Sequence, residues 1–264
     1  LHKALWQSYN IASARLGIDL GYDSVQSIFT KLGIEKQIPR FPSLFIGSFE
    51  MSPYEAVQAY QTIAADGFYT PLRSIREIRD PKGNIKLTYP YNIEQRIRPE
   101  PVELLKFAMK QTFIRGTARG YSKQKIESWQ AGGKTGTSDD QRDSWFIGFA
   151  GETLVLVWLG FDDNRPTPLT GRTGALEVWK NFIEIVDPPP IQKNSLPRIN
   201  MVWTDLKDGK LSGEKCKNSI LVPFVVGTEP TTIPAVRNKC SSNKKKNESN
   251  IMDKLKKVFE EGQD

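Results

Sequence analysis

The sequence predicts a mixed α/β fold of the α+β kind: an antiparallel sheet flanked by helices. Three observations predict it. Much of the first 112 residues carries apolar residues at helical spacing, punctuated by glycine and proline stops. From Trp129 onward the period shortens toward two. A last helical stretch, Gly174 to Val186, follows the strand-like residues and ends at Pro188-Pro189-Pro190. Of the 264 residues, 38% are hydrophobic and 25% charged, a globular composition with enough chain to bury a core.

Each element follows from local signals. Residues 1 to about 33 read as interrupted helix. Leu1, Ala4 and Leu5 lead to Ser8-Tyr9-Asn10, then Ile11, Ala14 and Arg15 run to a stop at Gly17. Val25, Ile28, Phe29 and Leu32 form a second periodic segment, ended by Gly33. Residues 36–50 read as loop. Ser52-Pro53-Tyr54-Glu55 opens a helix with Ser at the N-cap, Pro at the first position and Glu as the far arm of a capping box. Residues 68–96 read as short strands around the turn Asp80-Pro81-Lys82-Gly83. Pro101 to Thr112 is helical. Trp129 to Thr137 is the first strand of a set, and 145–150 and 153–159 form a hairpin around Gly151-Glu152. The proline run marks a domain boundary. Residues 191–240 read as a small extension of strands and loops, and 241–264 as a polar, disordered tail with a weak amphipathic turn at Ile251, Leu255, Val258 and Phe259.

Composition excludes several chemistries. The single histidine, His2, leaves a Ser-His-Asp triad without a well-held base. One histidine and two cysteines cannot build a four-ligand zinc site. Any nucleophilic chemistry must draw its base from elsewhere, and lysine is the candidate. Cys216 and Cys240 are either a disulfide in an oxidising compartment or two unrelated thiols. A net charge of +7 suits a polyanionic partner, nucleic acid or an anionic envelope surface. No run of about 18 apolar residues is present to span a membrane. Residue 1 is Leu and no signal peptide precedes the first motif, so the expectation is the C-terminal piece of a longer protein.

Gly133-Lys134-Thr135-Gly136-Thr137 has two readings. A phosphate-binding loop needs glycine at position 128, which is Ser, and a helix opening at the lysine, where a polar loop and strands follow instead. As a strand, its small residues let a ligand backbone lie close, period two places the Thr135 and Thr137 hydroxyls together, and Lys134 fixes a positive charge. Lys-Thr-Gly is also the third signature of the serine acyltransferases that include penicillin-binding proteins and class A β-lactamases. Their second, Ser-x-Asn, is matched by Ser8-Tyr9-Asn10.

Further segments extend the likeness. They are Leu5 to Asn10, Met51 to Ala56 with Tyr60 and Gly67, and Arg115-Gly116-Thr117-Ala118. Gly133 to Thr137, Asp143 to Phe149, Val157 to Asp162 and the Gly174-Ala175 helix complete the series. Through them, residues 1–190 resemble the class A penicillin-binding proteins, which polymerise and cross-link peptidoglycan. Val202-Trp203, the two cysteines and Pro223 to Pro230 look like the C-terminal extension of the 1B branch.

The resemblance implies the fold, activity and partners. The fold is that of the penicillin-binding transpeptidases and β-lactamases, here without its N-terminal part. A serine attacks the penultimate D-Ala carbonyl of a stem peptide, D-Ala leaves, and an amine of a neighbouring stem resolves the acyl-enzyme. Ser8 shuttles protons, Asn10 bonds the substrate amide and Lys134 tunes Ser8. Thr135 and Thr137 hold the terminal carboxylate beside Gly136, and the Thr137 N–H is an oxyanion donor. The implied ligands are D-Ala-D-Ala stem peptides and β-lactam antibiotics, the implied partners other cell-wall synthesis proteins, with no cofactor, metal or nucleic acid. The implied place is the periplasmic face of the bacterial inner membrane, reached through an upstream anchor beyond a glycosyltransferase domain. That location favours a Cys216–Cys240 bridge.

The first signature, Ser-x-x-Lys, belongs upstream of Ser8. The spacing recurs at Ser122–Lys125, Ser241–Lys244 and Ser242–Lys245, out of order and in segments read as solvated loops. The nucleophile is therefore expected outside this sequence, and the chain alone is expected to be inactive. Two other functions fit the same residues. One is a carboxypeptidase or β-lactamase that passes the acyl group to water. The other is a peptidoglycan-binding module without catalysis. The long extension at Val202 to Pro230 favours the transpeptidase. Asp143, Asp162 and Asp163 read as turn caps, and Trp145, Trp158 and Trp179 as core and sheet packing.

Overall fold

A computed structural model describes residues 1–192 and 195–230. The chain divides into two compact units, Leu1–Pro197 and a second beginning at Arg198.

The first unit opens with α1 (His2–Gln7), α2 (Asn10–Leu20) and α3 (Tyr22–Lys31). Gly17 does not stop α2, as the sequence suggested. It keeps helical backbone because its bare face receives the Phe45 ring: a Cβ there would stand 2.2 Å from Phe45 Cγ. The break comes at Gly21, whose positive φ of 80° suits glycine. A short 3-10 turn, Pro42–Ile46, leads to α4 (Pro53–Ala64), and both arms of the Ser52/Glu55 capping box are formed. Two two-stranded ribbons follow. β1 (Phe68–Tyr69) pairs with β4 (Glu94–Gln95), and β2 (Glu77–Arg79) with β3 (Ile85–Thr88) across the Asp80–Gly83 turn.

Next come α5 (Pro99–Ile114), α6 (Lys123–Ser128), β5 (Gly132–Thr137), β6 (Ser144–Ala150), β7 (Thr153–Leu159) and α7 (Ala175–Val186). The sheet is antiparallel in the order β5-β6-β7, leaving β5 an edge strand. Two expectations change here. Ser122 to Lys125 is no loop: Ser122 is the N-cap of α6, nucleated by fully buried Ile126. Trp129 belongs to the end of α6, its N–H bonded to Lys125 O, so the strand starts three residues later.

The sheet is covered on both faces. Phe146 and Ala150 pack with Phe113, Ile126, Trp129 and Trp179 of the flanking helices. Trp179 is fully buried, and its indole N–H donates to Gly148 O at 3.1 Å. On the other face Phe149 meets Ile63 of α4 and Val102 and Met109 of α5. Trp145 and Trp158 pair across β6 and β7 with centroids 6.2 Å apart, and Trp158 stays 37% exposed. Gly132 and Gly133 leave room for the Phe149 and Phe146 rings, which would lie 2.6 and 2.5 Å from added Cβ atoms. Past the prolines the chain stays on this unit: Ile191 N–H bonds Ser128 O.

Among the described residues of the second unit, β8 (Ile199–Asp205) pairs antiparallel with β9 (Ser219–Val225). Cys216 lies in the connection between them and is not a free thiol. Cys240 and the amphipathic turn at Ile251–Phe259 fall outside the described residues. Among those residues no helix is long and apolar enough to cross a membrane.

Candidate active site

Ser8 caps the C-terminal end of α1 in the left-handed conformation, φ 55° and ψ 49°. A non-glycine residue holds that conformation only where its surroundings enforce it. Here the preceding residues are tied down. Trp6 is buried, its carbonyl accepts the Thr117 N–H at 3.1 Å, and the Gln7 side chain donates to Arg115 O at 2.9 Å. The turn between α1 and α2 therefore projects an exposed Ser8 hydroxyl from a fixed base.

Lys134, in the middle of β5, meets that hydroxyl. Its Nζ donates to Ser8 Oγ at 2.9 Å and to Thr135 O at 2.8 Å. Burial lowers its pKa from 10.5 to about 8. The ammonium is thus mostly protonated at neutral pH, yet close enough to titration to give up its proton and take it back.

Thr135 and Thr137 do not share a partner. Thr135 Oγ1 lies 2.7 Å from Thr117 Oγ1, in the turn after α5. Thr137 Oγ1 accepts the Gly171 N–H at 2.9 Å, leaving its own hydrogen available to a ligand. Gly136 sits between them against the Trp145 side chain, and Gly171 presses on its backbone so closely that a Cβ on residue 171 would stand 2.5 Å from Gly136 O. Asn10 occupies the first position of α2, exposed, with no side-chain hydrogen-bond partner among the described residues. The structure thus joins Ser8, Lys134 and Thr135 through direct contacts, and sets Asn10 two residues from Ser8 on the next helix.

Two partners escaped the sequence reading. Thr117 stands in the segment Arg115 to Ala118, which suggests no chemistry by itself, and Gly171 sits in a turn-like run, Thr170 to Gly174, with no chemical signature. A further Ser-x-x-Lys spacing stands at Ser212–Lys215. It lies between β8 and β9, where the Ser212 hydroxyl is bonded to Ser219. At Ser122–Lys125, the lysine pairs with Glu184 and lies 5.3 Å over the Trp129 ring, engaged away from β5. Asp143 serves as a local brace, accepting from Ser138 Oγ and from the Trp158 indole.

A lysine-bearing edge strand facing a serine turn, on an antiparallel sheet between helices, defines the class of penicillin-interacting serine acyltransferases. The family described as the penicillin binding protein transpeptidase domain matches residues 1–159, and the chain belongs to it. Penicillin-binding protein 1B of Vibrio cholerae is 39% identical over 193 residues, covering 73% of this chain and 25% of that protein. Penicillin-binding protein 1B of Escherichia coli K12 is 32% identical over 189 residues, 71% of this chain and 22% of that protein. The crystal structure of penicillin-binding protein 1A from Haemophilus influenzae aligns with a TM-score of 0.78 at 22% identity, over 89% of this chain and 41% of that one. PonA1 of Mycobacterium tuberculosis, solved with penicillin V, aligns at 0.61 and 19% identity, over 75% of this chain and 58% of that one. The chain spans about a quarter of the length of the curated relatives it matches.

Proposed function

We propose that this chain supplies the Ser-x-Asn and Lys-Thr-Gly side of a D,D-transpeptidase site that cross-links peptidoglycan stem peptides and is acylated by β-lactams. The attacking serine and its partner lysine come from a segment outside these 264 residues. The carrying observation is the 2.9 Å contact between Lys134 Nζ and Ser8 Oγ.

In this reading a stem peptide lies extended along the free edge of β5, where unpaired backbone groups add it as a further strand. Thr135 and Thr137 donate to its terminal carboxylate, and Asn10 bonds its amide. The nucleophilic serine bonds the penultimate D-Ala carbonyl carbon while its proton passes to a base. Charge on the carbonyl oxygen falls to preorganised N–H donors, the Thr137 N–H among them. As the C–N bond breaks, Ser8 passes a proton to the departing D-Ala amine and is reprotonated through Lys134. An amine of a second stem then attacks the acyl-enzyme and restores the serine. The fold likeness to PonA1 with penicillin V supports β-lactams as ligands of the same cleft. The parent protein is proposed to sit at the periplasmic face of the inner membrane and to carry a glycan-polymerising domain. Cys216 is proposed to bridge to Cys240.

The test uses the protein with its upstream Ser-x-x-Lys segment present, labelled by fluorescent penicillin. Ser8→Ala and Lys134→Ala should each slow acylation by about 100-fold or more, the scale of a lost proton-transfer group. Undiminished labelling in Lys134→Ala would remove the assignment. Release of D-Ala without cross-linked product would make the protein a carboxypeptidase.

A further inference from the structure

We infer that Thr117 is a positioning residue that fixes the hydroxyl of Thr135 as a hydrogen-bond donor toward a ligand carboxylate. The inference rests on the transpeptidase reading above. Thr117 is the joint between the two motif segments. Its N–H holds the end of α1 through Trp6 O at 3.1 Å, and its hydroxyl holds β5 through Thr135 Oγ1 at 2.7 Å. Its neighbours reinforce the joint. Arg115 O accepts from Gln7, and Gly116 lies so close to α1 that a Cβ would stand 2.2 Å from Trp6 O.

The chemistry follows from counting protons. A threonine hydroxyl has one hydrogen and two acceptor sites. Between two such hydroxyls at 2.7 Å, one donates and the other accepts. If Thr135 donates to Thr117, its only proton is spent and it turns a lone pair toward any incoming carboxylate. If Thr117 donates, Thr135 keeps its proton for the ligand. A hydroxyl that already accepts a hydrogen bond is also the better donor. A bound carboxylate therefore selects the second arrangement, and Thr117 makes it available without moving the strand. Thr137 is arranged the same way, accepting the Gly171 N–H with its hydrogen left over. With Thr117 as the donor, both threonines of the strand receive a hydrogen bond from a neighbouring turn and keep a hydrogen for a ligand.

The experiment uses the full-length protein and two probes, benzylpenicillin and its methyl ester, which lacks the carboxylate charge. The second-order acylation rate constant is measured for each probe in wild type, Thr117→Val and Thr117→Ser. The ratio of the two constants within one variant does not depend on the fraction folded. Thr117→Val leaves Thr135 its proton but frees the hydroxyl to turn away, and should lower the constant for benzylpenicillin by about fivefold, the scale of one neutral hydrogen bond, and that for the ester by less than about twofold. Thr117→Ser, which keeps the hydroxyl, should bring the ratio back to within about twofold of wild type. Equal losses for both probes would assign Thr117 a purely structural role and overturn the inference. So would an unchanged ratio in Thr117→Val, or a serine variant that behaves like valine. A wild type that does not prefer the acid to the ester would instead remove the underlying reading of Thr135 and Thr137, a failure visible before any variant is made.

Discussion

Replacing Lys134 by Met should stabilise the folded protein at neutral pH and destabilise it in alkali. The fold lowers the lysine pKa from 10.5 to about 8 by burial. At about 1.4 kcal/mol per pKa unit, holding the charged form inside costs about 3.5 kcal/mol. The sign follows from proton counts. Below pH 8 both folded and unfolded chains carry the proton, so the full cost is present. Between pH 8 and 10.5 the unfolded chain binds more protons than the folded one, so stability rises with pH until the cost is gone. Met carries no proton and has no such slope. It also loses the bonds to Ser8 Oγ and Thr135 O, together about 2 kcal/mol at every pH. The Met variant should therefore be about 1.5 kcal/mol more stable than wild type at pH 7 and about 2 kcal/mol less stable above pH 10.5, crossing near pH 9. Urea denaturation of both proteins at pH 7, 8, 9 and 10 reads the difference, in which all shared titrations cancel. A difference that stays constant across this range would refute the claim that Lys134 is desolvated.

Three further outcomes are expected. Gly116→Ala places a methyl group 2.2 Å from Trp6 O and 2.8 Å from Thr112 Cα, both backbone, and should cost about 2 kcal/mol in thermal or urea melts while lowering penicillin labelling. Ser122→Ala should change stability by less than about 0.5 kcal/mol and leave labelling intact, because that serine makes no side-chain cap bond and its partner lysine is held by Glu184. Mass spectrometry of non-reduced peptides from the native protein should find Cys216 linked to Cys240; two alkylatable thiols would refute the bridge.

What the sequence made legible was whatever is encoded within about a turn of chain. The capping box at Ser52 and Glu55, the hairpin around Gly151, and the helix ending at Val186 are set by neighbouring residues, and each stands where its signals put it. Gly17 was misread because glycine has two uses. Its local meaning is a stop, whereas its use here is to admit Phe45, a residue 28 positions away whose approach no local pattern announces. The short helix α6 was misread for a related reason. Its six residues offer one apolar anchor, Ile126, and an anchor without a period is invisible until the core that buries it is known.

The same division runs through the site. The strand position of Lys134, Thr135 and Thr137 was legible because small residues and alternating hydroxyls have a local meaning, whereas the roles expected of them came from the family resemblance. The lowered pKa of Lys134 was not, since no tetrapeptide encodes burial. It arises where β5 and its surroundings withdraw the ammonium from water, with the Ser8 turn as its hydrogen-bond partner. That turn is in turn held by Gln7 on Arg115 O and by Trp6 O on Thr117. The proposed proton relay and the tertiary contact are therefore one feature. Any change that lifts the Ser8 turn from the strand, Gly116→Ala included, should return Lys134 to water and carry its pKa back toward 10.5. The alkaline limb of the acylation profile should then move upward in pH as the rate falls. A variant that loses rate with an unmoved limb would show that the turn serves the substrate without shielding the lysine.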